Sequence, residues 1–424
     1  MIRWESDIKS TMKRLRLVPV TVCVLFWLPL LNGCGNRNGH GSSTELDGTK
    51  YEGEFKDGLP NGLGKCTMPD GRVYVGEFKD GEADGKGTLT WPDGSKYVGE
   101  FENANETGQG TFTSSDGKIV IGQFRNGKLN GQGVVTLSDG TKTQGEFRDG
   151  EANGHGTRSL PDGWKYVGEF RGDLPNGQGS ALWPDGRQYV GSFRSGKPNG
   201  RGTLLMSDGR KYVGFLKDGD ASGDGMLTLP SGITYVGEFK AGEPNGQGTL
   251  SWPDGKQYVG TVKDGEANGY GTVRLVDGAR YVGEFKGGNF YGRGTYTWPD
   301  GSEYVGEFKD DSLCGLGMLT LPNGFTYSGD FEDDQPNGQG IETSSNGSHR
   351  QGEWRKGQCY RVSGTWVGDN GTKEVGTWNR DGSKSGGTIT WKNGREYKGD
   401  WKVVDGSDEL PDGTGTMTWP DGRK

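Results

Sequence analysis

Histidine is nearly missing from this chain, three residues in 424, and cysteine is sparse at five. His40, His155 and His349 lie far apart in sequence, so catalysis or metal binding through histidine would require the fold to gather them. Cys23, Cys34, Cys66, Cys314 and Cys359 show no Cys-x-x-Cys spacing and no dense disulfide pattern. Hydrophobic residues amount to only 29%, too few for one layered core over this length. Basic stripes are lacking too. The first 33 residues carry five basic and two acidic side chains, so the formal charge of −8 becomes −11 beyond them. That counts against nucleic acid or anionic lipid as the main ligand. After Leu31 no apolar run is long enough to span a bilayer.

Glycine is what the chain has in abundance, at 83 residues. It does not recur every third position, which removes collagen, and each helical glycine costs about 1 kcal/mol relative to alanine, which removes long helices. Order has to come from periodicity.

Ahead of the periodic region stands an export-like segment. Lys13-Arg14-Leu15-Arg16 precedes an apolar stretch from Leu17 to Leu31, then Leu31-Asn32-Gly33-Cys34. A basic start, a short apolar run and a small-residue site read as a signal peptide over residues 1–33. Glu5 and Asp7 do not suit the basic start, so either Met1 or Met12 begins it. The last four residues resemble the lipobox of bacterial lipoproteins, which implies acylation of Cys34; Asn32 departs from that pattern and leaves simple cleavage as the alternative. Gly35 is not the aspartate that retains such lipoproteins at the inner membrane, so the resemblance implies the outer membrane, with a periplasmic or secreted protein as the alternative. Residues 34–47 read as a flexible Gly/Asn/Ser tether.

The rest is one 23-residue repeat. Tyr-Val-Gly-Glu-Phe or a variant recurs with its glycine at 53, 76, 99, 122 and on at the same step to 352, with looser copies centred on Gly376 and Gly399. Sixteen units result, regular over 48–352 and degenerate over 353–424. Each combines an alternating segment, a polar loop, a Gly-x-Gly-Thr-Leu-Thr-Trp segment and Pro-Asp-Gly, the pattern of two strands and a turn. The loops are expected at Pro92-Asp93-Gly94 and its equivalents on one edge, and at Asn61-Gly62, Asn176-Gly177 and Asn245-Gly246 on the other. Alternation puts Tyr, Gly, Phe and Trp on one face and Val, Glu and Lys on the opposite one. Rings such as Tyr97, Phe101 and Trp91 are expected to lie flat over neighbouring glycines, giving a single sheet a substitute core.

These motifs resemble the MORN repeat family, built around Tyr-x-Gly-Glu-Phe/Trp followed by Gly-x-Gly. The resemblance covers about nine tenths of the chain. It implies an all-β fold, an elongated single-layer antiparallel meander of about sixteen 23-residue hairpins, roughly 150 Å along the sheet. It also implies a scaffold or docking surface beside a membrane, without catalysis or cofactor, since family members that catalyse do so through an additional domain.

Apparent sites weigh little against the repeat. Gly122-x4-Gly127-Lys128 and Gly191-x4-Gly196-Lys197 imitate half a P-loop but end in Leu129 and Pro198. Asp218, Asp220, Ser222 and Asp224 imitate an EF-hand whose twelfth position is Leu229. A glutamate column including Glu54, Glu77 and Glu100, with a cation usually two residues later, reads as alternating charge on a solvated face. The column Trp91, Trp183, Trp252, Trp298, Trp391 and Trp419 exchanges with Leu and Met elsewhere, which points to packing. Its alternative role is a ladder of rings for glycan such as peptidoglycan, or for an apolar protein segment. The partners expected are envelope proteins or the membrane itself. An open edge at Thr416 to Trp419 would favour self-association.

Overall fold

Alternating aromatic and β-branched residues form strands because such side chains pack on a pleated surface, and period two sends them to opposite sides. In the computed structural model, which describes residues 38–368, 371–379, 383–404 and 408–424, Lys96–Glu102 buries Tyr97 and Phe101 and exposes Val98 and Glu100. The leader and Cys34 lie outside the described residues. Regular repeats supply a seven-residue leading strand and a nine-residue trailing strand. Thirty-three strands lie among the described residues, two for each of the sixteen repeats and one, Gly39–Thr44, ahead of the first. That extra strand pairs with Lys50–Lys56, placing Gly41 opposite Gly53. The tether expected over 34–47 is therefore shorter, because Gly39-x-Gly41 repeats the glycine spacing of a trailing strand.

The chain divides into two units, one up to Gly225 and one from Met226. In each, strands pair antiparallel with their sequence neighbours, an all-β meander. Among the described residues no helix is long and apolar enough to cross a membrane.

Two kinds of turn connect the strands. At Trp91-Pro92-Asp93-Gly94, the Gly94 N–H donates to the Trp91 carbonyl (3.0 Å) and the Trp91 N–H to the Ser95 carbonyl (2.9 Å). Asp93 Oδ1 accepts the Ser95 N–H at 2.9 Å, and Gly94 takes φ of 88°. Proline presets φ, aspartate caps and glycine reverses the chain.

The opposite turn departs from the sequence expectation. It falls at Asp57-Gly58, Gly172-Asp173 and Ala241-Gly242, not at the Asn-Gly pairs, and both residues of each have positive φ. That is the primed two-residue turn whose twist suits right-handed strands. The Asn-Gly pairs lie inside the trailing strands at a bulge. In the next repeat Gly76 faces Gly87 and Phe78 faces Ala83, so Asp84, Gly85 and Lys86 oppose Glu77 alone. Gly85, at φ of 107°, absorbs the extra length and lies against the Glu77 carboxylate. Most primed turns are also tied backward, as where the Gly81 N–H donates to the Pro60 carbonyl at 3.0 Å.

Glycine faces glycine across successive strands: Gly76, Gly87, Gly99 and Gly110 form one row. Tyrosine rings cover it. A Cβ on Gly99 would lie 2.6 Å from Cζ of Tyr97 and 2.7 Å from Cα of Gly110. The Tyr97 hydroxyl donates to the Thr107 carbonyl (3.0 Å), and that of Tyr74 to the Glu77 carbonyl (2.9 Å). Phe101 and Trp91 do not lie flat on glycine as expected. Phe101 stands edge-on to Tyr97 (5.3 Å between centroids) and to Tyr74 of the preceding repeat (4.8 Å), and Trp91 stands edge-on to Phe112 (5.8 Å). The glycine row has room for one ring per repeat, and tyrosine holds it because its hydroxyl reaches a carbonyl beyond. Phenylalanine, without a donor, fills the gaps between tyrosines, each edge contact contributing about 0.5–1.5 kcal/mol.

Gly99→Ala is expected to cost about 2–3 kcal/mol through overlap with Tyr97, whereas Tyr74→Phe, which keeps the ring and loses one hydrogen bond, should cost about 1 kcal/mol. Urea unfolding followed by tryptophan fluorescence measures both; equal losses would refute the close-approach account.

Candidate binding surfaces

The tryptophan column sits where the trailing strand enters its turn, Pro-Asp-Gly in every case but Lys392-Asn393-Gly394 after Trp391, and all but Trp419 are half-buried. The turn brings its own cation onto the ring. The Trp252 N–H donates to the Lys256 carbonyl (2.9 Å), which sets Lys256 Nζ 4.9 Å from the ring centroid. Arg187 stands 5.6 Å from Trp183, Arg395 5.4 Å from Trp391, and Arg423 5.9 Å from Trp419. Trp298 lies against Tyr296 at 4.8 Å, and Trp391 packs against Ile389 and Tyr397. These rings are thus engaged by cations or neighbouring apolar groups from within the chain. Trp354 and Trp378 are a different set, buried in the phenylalanine row.

On the opposite face the glutamates do other work than pairing with the next cation. Among the described residues that pairing is seen at Glu353–Arg355 (2.7 Å). Elsewhere the carboxylate turns to the bulge: Glu169 Oε1 accepts the Gln178 N–H at 2.9 Å, and Asp330 Oδ2 accepts the Gln339 N–H at 2.8 Å. A bulge frees a backbone donor, and the adjacent acid satisfies it.

Beside this column runs an aliphatic ridge that sequence reasoning passed over. Val75, Val98, Ile121, Val167 and Val190 are 44–59% exposed. Their signal lies in the alternation, which pairs valine with glutamate away from tyrosine.

Some core positions carry polar residues. Thr143 stands where tyrosine recurs and Arg158 where leucine recurs. Arg158 Nε donates to Thr143 Oγ1 (2.8 Å), Nη1 donates to the Asp173 carbonyl (2.7 Å), and the guanidinium lies 5.2 Å from the Phe170 centroid. Glu106 is the sharper case. It is 2% exposed, sits opposite Phe101 where most other repeats hold proline, alanine or leucine, and its oxygens reach no donor on another residue. Burial pushes its carboxyl up to about 7, opposed by its own backbone N–H and by Arg72.

The remaining sequence candidates do not converge. His40, His155 and His349 stand on three separate strands. Gly127-Lys128 belongs to a primed hairpin turn, and Gly196-Lys197 likewise, whereas a phosphate loop leads into a helix. Asp218 heads a turn, while Asp220, Ser222 and Asp224 run along Asp220–Thr228 instead of wrapping a loop. Buried Cys66, its thiol pushed up to about 11 by burial and Asp47, lines an apolar hollow of about 10 Å³, room for one water at most.

Two outcomes test these assignments. Because the folded-state carboxyl of Glu106 titrates above its ordinary value of 4.5, the folded protein binds the extra proton between pH 4.5 and 7. Stability therefore falls as pH rises through that window, by on the order of 3 kcal/mol. Glu106→Leu should flatten that part of the pH–stability curve; an unchanged curve would show that Glu106 is not its source. Trp252→Leu should cost under about 1.5 kcal/mol, as a packing swap the repeat already makes, and Tyr258→Leu about 3 kcal/mol or more; thermal unfolding ranks the two.

The MORN repeat model matches thirteen segments: 51–71, 74–96, 97–119, 121–142, 144–165, 166–186, 189–209, 235–257, 258–280, 281–303, 304–326, 327–349 and 410–422. Comparison with curated proteins gave no match. Among solved structures, the TCP domain of SAS-4 from Drosophila melanogaster, in complex with a proline-rich motif of Ana2, is similar at 12% identity and a TM-score of 0.18, over 55% of this chain and 99% of that one. Virginiamycin B lyase from Staphylococcus aureus is similar at 13% identity and a TM-score of 0.10, over 77% and 91%. Likeness at this level carries no argument about function. The family match extends over more than half of the residues, and the chain belongs to the MORN repeat family as a repeat-built scaffold or binding protein.

Proposed function

We propose that this protein is a non-catalytic scaffold tethered by lipid to the bacterial cell envelope, holding envelope proteins at a membrane surface. The observation that carries the scaffold reading is the division of the repeat into two faces. Tyr, Phe and glycine on one face hold the fold, while the other presents exposed side chains at a fixed spacing from repeat to repeat. Such periodicity offers an extended docking surface, as solenoid repeats do. The tether rests on Leu31-Asn32-Gly33-Cys34, with Cys34 as the acylated residue. Gly35 after the cysteine favours the outer membrane.

Fatty-acid labelling in a bacterial host tests the tether. Label is expected on the wild-type chain in the membrane fraction and on none of the Cys34→Ala variant; an unlabelled soluble wild type would sink it. Sedimentation with isolated peptidoglycan sacculi tests the scaffold against glycan binding. No binding is expected, because cations and neighbouring rings occupy the tryptophan column. Binding lost in a folded Trp183→Leu, Trp252→Leu, Trp298→Leu variant would replace protein docking with glycan recognition.

A further inference from the structure

In the unit up to Gly225, the aliphatic ridge is bordered by rows of opposite charge. On three of the six leading strands from Val75 to Val190 the outward residues come in the order lysine, ridge residue, glutamate; the other three carry Val73, Ile119 and Gln188 in place of the lysine. Lys96, Val98 and Glu100 are exposed on one strand, and Lys165, Val167 and half-exposed Glu169 hold the same places three repeats on. Lys142 and Glu146 flank Gln144, the polar interruption of the ridge. Successive outward residues lie about 7 Å apart along a strand, so the basic row and the acidic row run about 7 Å to either side of the ridge. Among the described residues, Lys96, Lys142 and Lys165 make no ion pair within the chain.

We infer that this face pairs with the same face of a second copy, about a two-fold axis parallel to the ridge. Such an axis leaves position along the sheet unchanged and inverts position across it. The ridge then meets the ridge, the basic row of each copy faces the acidic row of the other, and Lys96 meets Glu100 on the equivalent strand, twice by symmetry. A two-fold axis across the ridge would set lysine against lysine, so the charge order selects one orientation. The match holds at the strands of Lys96, Lys142 and Lys165, because both copies share one period.

The size fits as well. From Val75 to Val190 the ridge covers six leading strands, five repeat steps or about 50 Å, and the three rows are about 15 Å wide, so each copy covers roughly 750 Å². Stable specific interfaces cover about 800 Å² per partner. Two twisted sheets packed face to face stay roughly aligned, within about 30° of each other. Gln144 falls near the middle, where a two-fold axis along the ridge places it against its own copy as an amide pair.

Sedimentation equilibrium of the full chain tests the pairing. A dimer is expected at micromolar concentration in low salt, weakening as salt rises. The Val98→Lys, Ile121→Lys, Val167→Lys variant should be monomeric with an unchanged circular dichroism melt, since those positions face solvent in the single copy. Lys96→Glu with Lys142→Glu should weaken association at least tenfold, and adding Glu100→Lys with Glu146→Lys should restore it. A wild type monomeric at all concentrations, a valine variant that still dimerises, or a fourfold reversal that fails to restore the dimer would each overturn the proposal.

Discussion

Everything in this fold depends on glycine meeting glycine beneath a tyrosine ring. A single sheet has no second layer to bury its side chains against, so its core must be made on its own surface. Bare backbone at Gly99 and Gly110 lets Tyr97 lie down and carry its hydroxyl to a carbonyl beyond the row. The ring then walls in Phe101 and, from the next repeat, Phe124 at 5.0 Å. Few apolar residues suffice because each ring is shared between repeats. The high glycine content and the modest hydrophobic content are thus one design, since removing a Cβ creates the site that a ring fills.

The exceptions obey the same constraint. Where Val120 replaces tyrosine, Leu129 turns over the bare row, with its Cδ1 2.8 Å from where a Cβ on Gly133 would stand. Where Thr143 replaces it, the Arg158 guanidinium fills the space and the Phe170 ring lies 3.4 Å from a Cβ placed on Gly156. Just before the degenerate repeats Arg350 takes the tyrosine position and pairs with buried Glu342, its guanidinium 4.6 Å from the Trp366 ring. Inward departures come in compensated pairs, because a void on a single-layer core would leave a ring without contacts on one side. Glu106 lacks such a compensation.

Strand positions, faces and the Pro-Asp-Gly turn were legible because each rests on local alternation or on three adjacent residues. The Asn-Gly turn was misplaced by the same local reasoning: Asn61-Gly62 is a hairpin dipeptide in isolation. Only the pairing of Phe55 with Pro60 shows that Asp57-Gly58 has already reversed the chain and that Gly62 relaxes a bulge. Gly39–Thr44 reads as tether in sequence because it holds two glycines and no large apolar side chain; its strand character comes from Lys50–Lys56 alongside. Trp91 and Trp252 were located correctly, but what covers them was not legible. The covering group is Phe112 on the next strand in one case and Lys256 across a turn in the other.

The two faces therefore differ in how freely they can vary. A change on the tyrosine face demands a second change beside it, as Thr143 and Arg158 show. A change on the opposite face demands nothing, because its side chains end in solvent. The middle residue of Gly-x-Gly illustrates this: most regular repeats carry glutamine or a charged residue there, yet Leu63, Tyr270 and Leu316 are 62%, 64% and 65% exposed. Apolar side chains at such exposure contribute nothing to a core. Individuality accumulates on the outward face because folding does not oppose it there, and individuality is what a partner needs in order to recognise one repeat among sixteen. The repeat thus keeps conformational stability and recognition on opposite sides of one layer of backbone, so that either can change without the other.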